Sequence, residues 1–217
     1  PGSAEELHAL ARELFRTPST IPHGWAVLLA AYTGLRCGEL LQLRLRPQRI
    51  GLHVEPGWYD DKILIVPRSK RRAGHSQQDT ISLTDPTRPA IRPLLDRIRQ
   101  WHASQSATAD RLIPIQPDTL TQALQAAART LGLPERQAHG LRAYYVSVRL
   151  AQGTSASQVA AEVGHTGNGD HLVRTVYGDT PPQWRGLENQ YTWLPPADKA
   201  QPAWTELTRA GNIIALG

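Results

Sequence analysis

The longest apolar stretch of the chain, residues 25–32 (WAVLLAAY), carries no charge and predicts a buried helix. Thr33 and Gly34 interrupt it, and residues 36–43 continue helically with Leu40, Leu41 and Leu43 apolar. Upstream, Ser3 stands three residues before Glu6, a capping box that opens a helix through about Arg16. The stretch between, TPSTIPHG, predicts a turn.

The pattern changes between residues 45 and 85. ILIV at 63–66 and TISL at 80–83 are compact strand signals. The segment between them, 67–79, is polar and basic and contains Gly74, which predicts a hairpin or small sheet with a mobile tip. From residue 87 the pattern is helical again, over about 88–103, 117–131, 139–152, 155–163 and 169–177. Asp118 and Ser155 are placed to cap helix starts. Gly132, Gly153 and Gly164 are placed to end helices. Residues 179–201 are rich in Pro and Gln, with Trp184 and Trp193, and a short amphipathic segment (AWTELTRA, 203–210) follows. No internal repeat is visible. The expected class is mainly α with a small antiparallel β-sheet, an α+β fold.

Composition narrows the function only slightly. The 217 residues are 40% apolar, and no run approaches the ~18 apolar residues of a spanning helix. The start, PGSAEELHAL, has neither the basic opening nor the apolar core of a signal peptide. The single cysteine, Cys37, excludes an internal disulfide and a cysteine-built zinc site. Charge is uneven: residues 1–178 carry 21 Lys and Arg against 15 Asp and Glu, and residues 179–217 carry 3 against 4. The excess is mostly arginine, whose planar fork suits phosphate oxygens, so an anionic partner is favoured.

Candidate chemistry lies in five places. In TGLRCGEL (33–40) the glycine breaks one helix and Arg36 starts the next, beside unpaired backbone N–H groups, with Glu39 placed to brace it. In SKRRAG (69–74), Lys70 stands on the hairpin as a compact donor, and Arg71 and Arg72 suit backbone contacts to a phosphate chain. In HGLR (139–142), His139 and Arg142 are three apart and share a helix face. His165 follows Gly164 at a helix end, and Tyr177 stands twelve residues beyond it. Taken singly, each residue fits an ordinary structural role.

Taken in order, the set resembles the tyrosine recombinase, or phage-type integrase, family, whose signature runs Arg, Lys, His-x-x-Arg, His or Trp, Tyr. Arg36, Lys70, His139, Arg142, His165 and Tyr177 follow that order, and the match spans residues 5–178. Two features depart from the pattern. The step from His165 to Tyr177 is twelve residues against a usual nine or so, with TGNGD (166–170) able to hold the surplus. HLVRTV also replaces the usual Thr-rich approach to the tyrosine. His171 is a weaker alternative to His165 because no glycine precedes it, and Tyr144, Tyr145 and Tyr191 fit the nucleophile's place less well.

The resemblance implies a catalytic domain over residues 1–178, with its small sheet at about 45–85. It implies a tail over 179–217 that docks on a neighbouring protomer through Trp204, Leu207, Ile213 and Ile214. An N-terminal DNA-binding domain is expected to lie outside these residues. The implied activity is site-specific DNA cleavage and religation through a 3′-phosphotyrosine intermediate, without metal or cofactor. Tyr177 would be the nucleophile and Lys70 the general acid. His139 would assist proton transfer, and Arg36, Arg142 and His165 would stabilise the transition state, with Glu39 holding Arg36. The implied partners are double-stranded DNA carrying specific sites and further copies of the chain, a tetramer on DNA. The implied setting is the cytoplasm, with a prokaryotic or phage-encoded, nucleoid-associated enzyme. A type IB topoisomerase would use the same constellation to relax DNA, and a DNA-binding module with an inactive site would keep only its framework.

Overall fold

The structure is a computed structural model that describes residues 3–50, 53–59, 62–68, 78–105, 110–165 and 169–177, of which 50, 53, 59, 172, 176 and 177 by their backbone only. Helix α1 (Ala4–Phe15) starts as its sequence predicts: the Ser3 hydroxyl accepts from the Glu6 N–H at 3.2 Å. The Glu6 carboxylate reaches across to Arg136 at 2.9 Å. TPSTIPHG is helical rather than a turn, with a 3-10 segment at Pro18–Thr20 leading into α2 (Ile21–Thr33). Pro22 sits in the first turn of α2, where a missing N–H costs no intrahelical bond.

Helix α2 is buried on nearly every side and forms the axis of the molecule. Packed around it are α1, α4 (Ile91–Ser104), α5 (Thr119–Leu131) and α6 (His139–Ala151). Each fully buried Leu along this axis contributes about 1.5–3 kcal/mol relative to exposure. Helix α2 ends at Gly34, whose φ of 68° is left-handed. A Cβ there would lie 2.5 Å from the ring of Tyr145, so the close approach of α6 also demands a glycine.

Helix α3 (Cys37–Leu40) is a single turn, shorter than the leucine pattern predicts. Leu41 and Leu43 are buried beyond it: Leu41 and Gln42 form a hydrogen-bonded turn, after which the Arg44 N–H donates to Pro56 O and the Leu112 N–H to Leu43 O. A leucine run reads as helix by composition, whereas here the helix gives way to a turn and backbone partners from two distant segments take the chain from Leu43 onward. A two-stranded ladder pairs β1 (Arg49–Ile50) with β2 (His53–Val54). A three-stranded antiparallel sheet follows in the order β3 (Gly57–Tyr59), β4 (Ile63–Pro67), β5 (Gln78–Ser82). The sequence shows β4 and β5 but not β3, which is only three residues long and is anchored by the buried Trp58 under the Arg99 guanidinium at 3.5 Å.

The remaining elements are α7 (Ala156–Glu162) and α8 (Gly169–Tyr177). Ser155 caps α7 through the Gln158 N–H, but Asp118 has helical backbone angles and makes no side-chain cap on α5. A second, smaller core joins Tyr145, Val146, Ala156, Val159, Ala160, Val163 and Val173 beneath α6, α7 and α8. Helix α6 serves both cores, since its Leu141, Tyr144 and Val148 belong to the first. Arg142 lies on α6 between these two sets. Among the described residues no helix is long and apolar enough to cross a membrane.

Candidate active site

Arg36 is the N-cap of α3. Its backbone N–H donates to one oxygen of Glu39 at 3.0 Å and its Nη1 to the other at 2.8 Å. The TGLRCGEL spacing explains this geometry. Gly34 turns the chain, and a residue three places into the next helix folds back on the cap. Glu39 is fully buried and Arg36 is 22% exposed, so the acid is the fixed partner and the guanidinium the outward one.

Arg142 is only 2% exposed. Its Nη1 donates to Gly34 O at 2.8 Å and its Nη2 to Val163 O. These carbonyls belong to the C-terminal ends of α2 and α7, where orphan acceptors and the helix dipole both favour a cation. One arginine thus ties two helix ends together. The end of α7 is also held from outside: Arg149, seven residues after Arg142 and 1% exposed, forks both oxygens of Glu162 at 3.0 and 2.8 Å. Tyr145 donates to the same carboxylate at 2.8 Å.

His165 follows this held turn. Its Nδ1 is buried with no hydrogen-bond partner. Its pKa is pushed down from 6.5 to about 4, first by burial and then by the positive charges of Arg142, Arg36 and Arg68, with Glu39 opposing them. Arg36, Arg68 and Arg142 therefore all act on His165, each from a separate element. At neutral pH the ring is uncharged, so it can donate one hydrogen bond without adding a further positive charge.

His139 opens α6 and is exposed, one turn from the buried Arg142. It borders a cavity of about 320 Å3 lined also by Leu7, Leu124, Arg136 and Tyr144. Tyr177 is the last residue of α8, and the helix rise sets it about 12 Å along the axis from Gly169. Gly169 packs against His165, since a Cβ at 169 would lie 2.6 Å from the His165 Cβ. The twelve-residue step is thus mostly helix, the nine residues Gly169–Tyr177, whose first residue lies against the histidine. Lys70, Arg71 and Arg72 lie outside the described residues, as do Tyr191, Trp204, Leu207, Ile213, Ile214 and the rest of the tail. His171 is exposed on α8 and close to Thr175, its Nδ1 3.4 Å from the hydroxyl.

Arg68 is the site residue that the motifs do not reveal. It is 2% exposed and follows β4 directly. Its Nε donates to Asp79 at 2.7 Å, its Nη2 to Glu162 O at 2.7 Å, and its Nη1 lies 3.5 Å from Glu39. The readable signal is strand alternation. Leu64, Val66 and Arg68 occupy successive inward positions, and the first two are fully buried. A charged residue at the third inward position needs buried partners.

No protein-family profile and no curated protein sequence matches this chain. Solved structures do. The crystal structure of XerA recombinase is similar with a TM-score of 0.58 at 17% identity, over 84% of this chain and 61% of that one. The XerH site-specific recombinase, bound to difH substrate in a pre-cleavage complex, is similar with a TM-score of 0.53 at 15% identity, over 82% of this chain and 50% of that one. The chain therefore has the fold of the tyrosine recombinase catalytic domain. It spans about half to three fifths of the length of these two recombinases.

Proposed function

We propose that this chain is the DNA cleaving and rejoining unit of a site-specific tyrosine recombinase. One observation carries the reading: Arg36, Arg142 and His165, far apart in sequence, meet in a positively charged cluster within a recombinase fold. Two arginines and a neutral imidazole are suited to a phosphodiester. Arg36, half of whose fork is held by Glu39, reaches outward, and Arg142 adds positive charge from behind.

In this reading the Tyr177 hydroxyl attacks the scissile phosphorus. A bond forms between the tyrosine oxygen and the 3′-phosphate, and the bond to the 5′-oxygen breaks. Negative charge gathers on the non-bridging oxygens, where each preorganised donor is worth about 3 kcal/mol. Lys70 gives a proton to the departing 5′-oxygen, and His139 assists removal of the tyrosine proton. Attack by a 5′-hydroxyl on the phosphotyrosine reverses the step and rejoins the strand. The DNA partner, the assembly of four copies and the docking of the 179–217 tail on a neighbour belong to this proposal. So do an integrating or excising mobile element and a prokaryotic setting.

The test is covalent capture. The protein is incubated with a randomised duplex library bearing a nick, and species surviving denaturation are recovered and sequenced. The expected result is a protein–DNA adduct enriched for particular sequences and absent from Tyr177→Phe. No adduct from the wild type, or an adduct from Tyr177→Phe, overturns the assignment. Adducts without sequence enrichment, together with relaxation of supercoiled plasmid, would favour topoisomerase activity.

A further inference from the structure

We propose that Arg68 is a positioning residue for the phosphate pocket, the joint that sets the Arg36–Glu39 pair and the His165 turn at a fixed distance from each other. The inference rests on the recombinase reading for its activity arm. Arg68 is too deeply buried to be a ligand itself, and its three nitrogens are directed to three different elements. Nη1 faces Glu39, the acid that holds Arg36. Nη2 is bound to the carbonyl of Glu162, three residues before His165. Nε is bound to Asp79 on β5, so the sheet anchors the whole guanidinium.

Two further observations make the placement specific. Successive carbonyls at the end of α7 go to different arginines: Glu162 O to Arg68 and Val163 O to Arg142. The last turn of α7 is thus gripped from the sheet side and from the α6 side. Gly164, next in line, has a φ of 69°, and a Cβ there would lie 2.8 Å from both Cδ and Nε of Arg68. The glycine before His165 is therefore needed twice, for its left-handed backbone and for the arginine lying against it.

The consequence for Glu39 is one of charge sharing. A fully buried carboxylate facing a single arginine would draw both N–H groups of that arginine onto itself. With Arg68 as a second cation on its Oε2 side, Glu39 holds Arg36 through one Nη and the backbone N–H. The outward part of the Arg36 fork is then left to meet a phosphate oxygen. Displacing such a group by about 1 Å costs on the order of 100-fold in rate.

The experiment is a double-mutant cycle between Arg68 and Glu39. Arg68→Met is expected to slow adduct formation about 100-fold at saturating DNA, with DNA affinity changed less than about 3-fold. In a Glu39→Gln background the same substitution is expected to cost less than about 3-fold, because the carboxylate it acts through is gone. Arg68→Lys, which keeps the charge and some donors, is expected to lose about 10-fold and to show the same non-additivity. It serves as the cycle partner if Arg68→Met does not fold. A residue that only supports the fold would give losses that multiply across the cycle. Multiplying losses, or an Arg68→Met enzyme within about 3-fold of wild type, overturns the proposal. A second readout is independent of DNA. Sulfate binding, followed by the NMR shifts of the His165 ring, is expected to weaken about 10-fold in Arg68→Met. Unchanged sulfate affinity counts against the proposal even if the wild type forms no adduct, so failure here is distinct from failure of the recombinase reading.

Discussion

Glu39 and His165 carry opposite lessons about single residues in this pocket. Glu39 is a fully buried acid that stays useful because two arginines and a backbone N–H surround it. His165 is a base kept neutral first by burial and then by the charges of Arg142, Arg36 and Arg68. Its folded-state pKa of about 4 lies below the ordinary 6.5, which fixes the sign of a pH effect. As pH falls from 6.5 toward 4, the unfolded chain takes up a proton that the folded chain refuses, so stability is lost across that window and then levels off. His23 and His102, also lowered by burial, act in the same direction. Urea unfolding midpoints measured between pH 8 and pH 4 are expected to decline, and His165→Asn to make the decline shallower. An anion seated among the arginines would offset their charge, so added sulfate is expected to raise the His165 titration midpoint, read by NMR. These residue properties were only partly legible. HGLR and VGH identify the residues, but the lowered pKa of His165 depends first on its burial and then on arginines that are 23 or more positions away in sequence.

The secondary elements that matter most are the short ones. Helix α7 has only seven residues, too few to be stable on its own, yet its end supplies carbonyls to two site arginines. Its stability is borrowed from tertiary contacts, the burial of Ala156, Val159 and Ala160 in the second core and the Arg149 fork on Glu162. Arg149→Met would leave that carboxylate without its principal cation, at a cost of about 3–5 kcal/mol. The expected outcome is a lower denaturation midpoint together with faster hydrogen exchange at Gly164 and His165. A loss confined to stability, with exchange at those two amides unchanged, would contradict the role given to this pair. Long periodic helices, α5, α6 and α8, are close to what their sequences predict, because one amphipathic stripe suffices to specify them. The turn at TPSTIPHG and the helix over 36–43 are misread for the same reason in reverse. A proline-rich stretch can open a helix, and a leucine run can leave the helix after one turn when distant backbone groups pair with the chain just beyond it.

For the molecule as a whole, two hydrophobic cores meet along α6, and the arginine cluster sits where they join. The positive excess of residues 1–178 predicts that binding to duplex DNA is dominated by phosphate contacts. The logarithm of the binding constant is then expected to fall linearly with the logarithm of salt concentration, with a slope of about −0.9 per phosphate neutralised. Affinity that is indifferent to salt would contradict a phosphate-facing surface. The sequence alone determined the α+β class, most of the long helices and the order of the candidate residues, because these are recorded in local periodicity and short motifs. Only the tertiary structure decided which charges meet. Arg68 stands just past an ordinary strand, and its three partners, Glu39, Asp79 and the Glu162 carbonyl, come from three other parts of the chain. The physical reason is that a buried ion pair is set by the packing that removes water from it, and packing between distant segments leaves no periodic trace in the sequence.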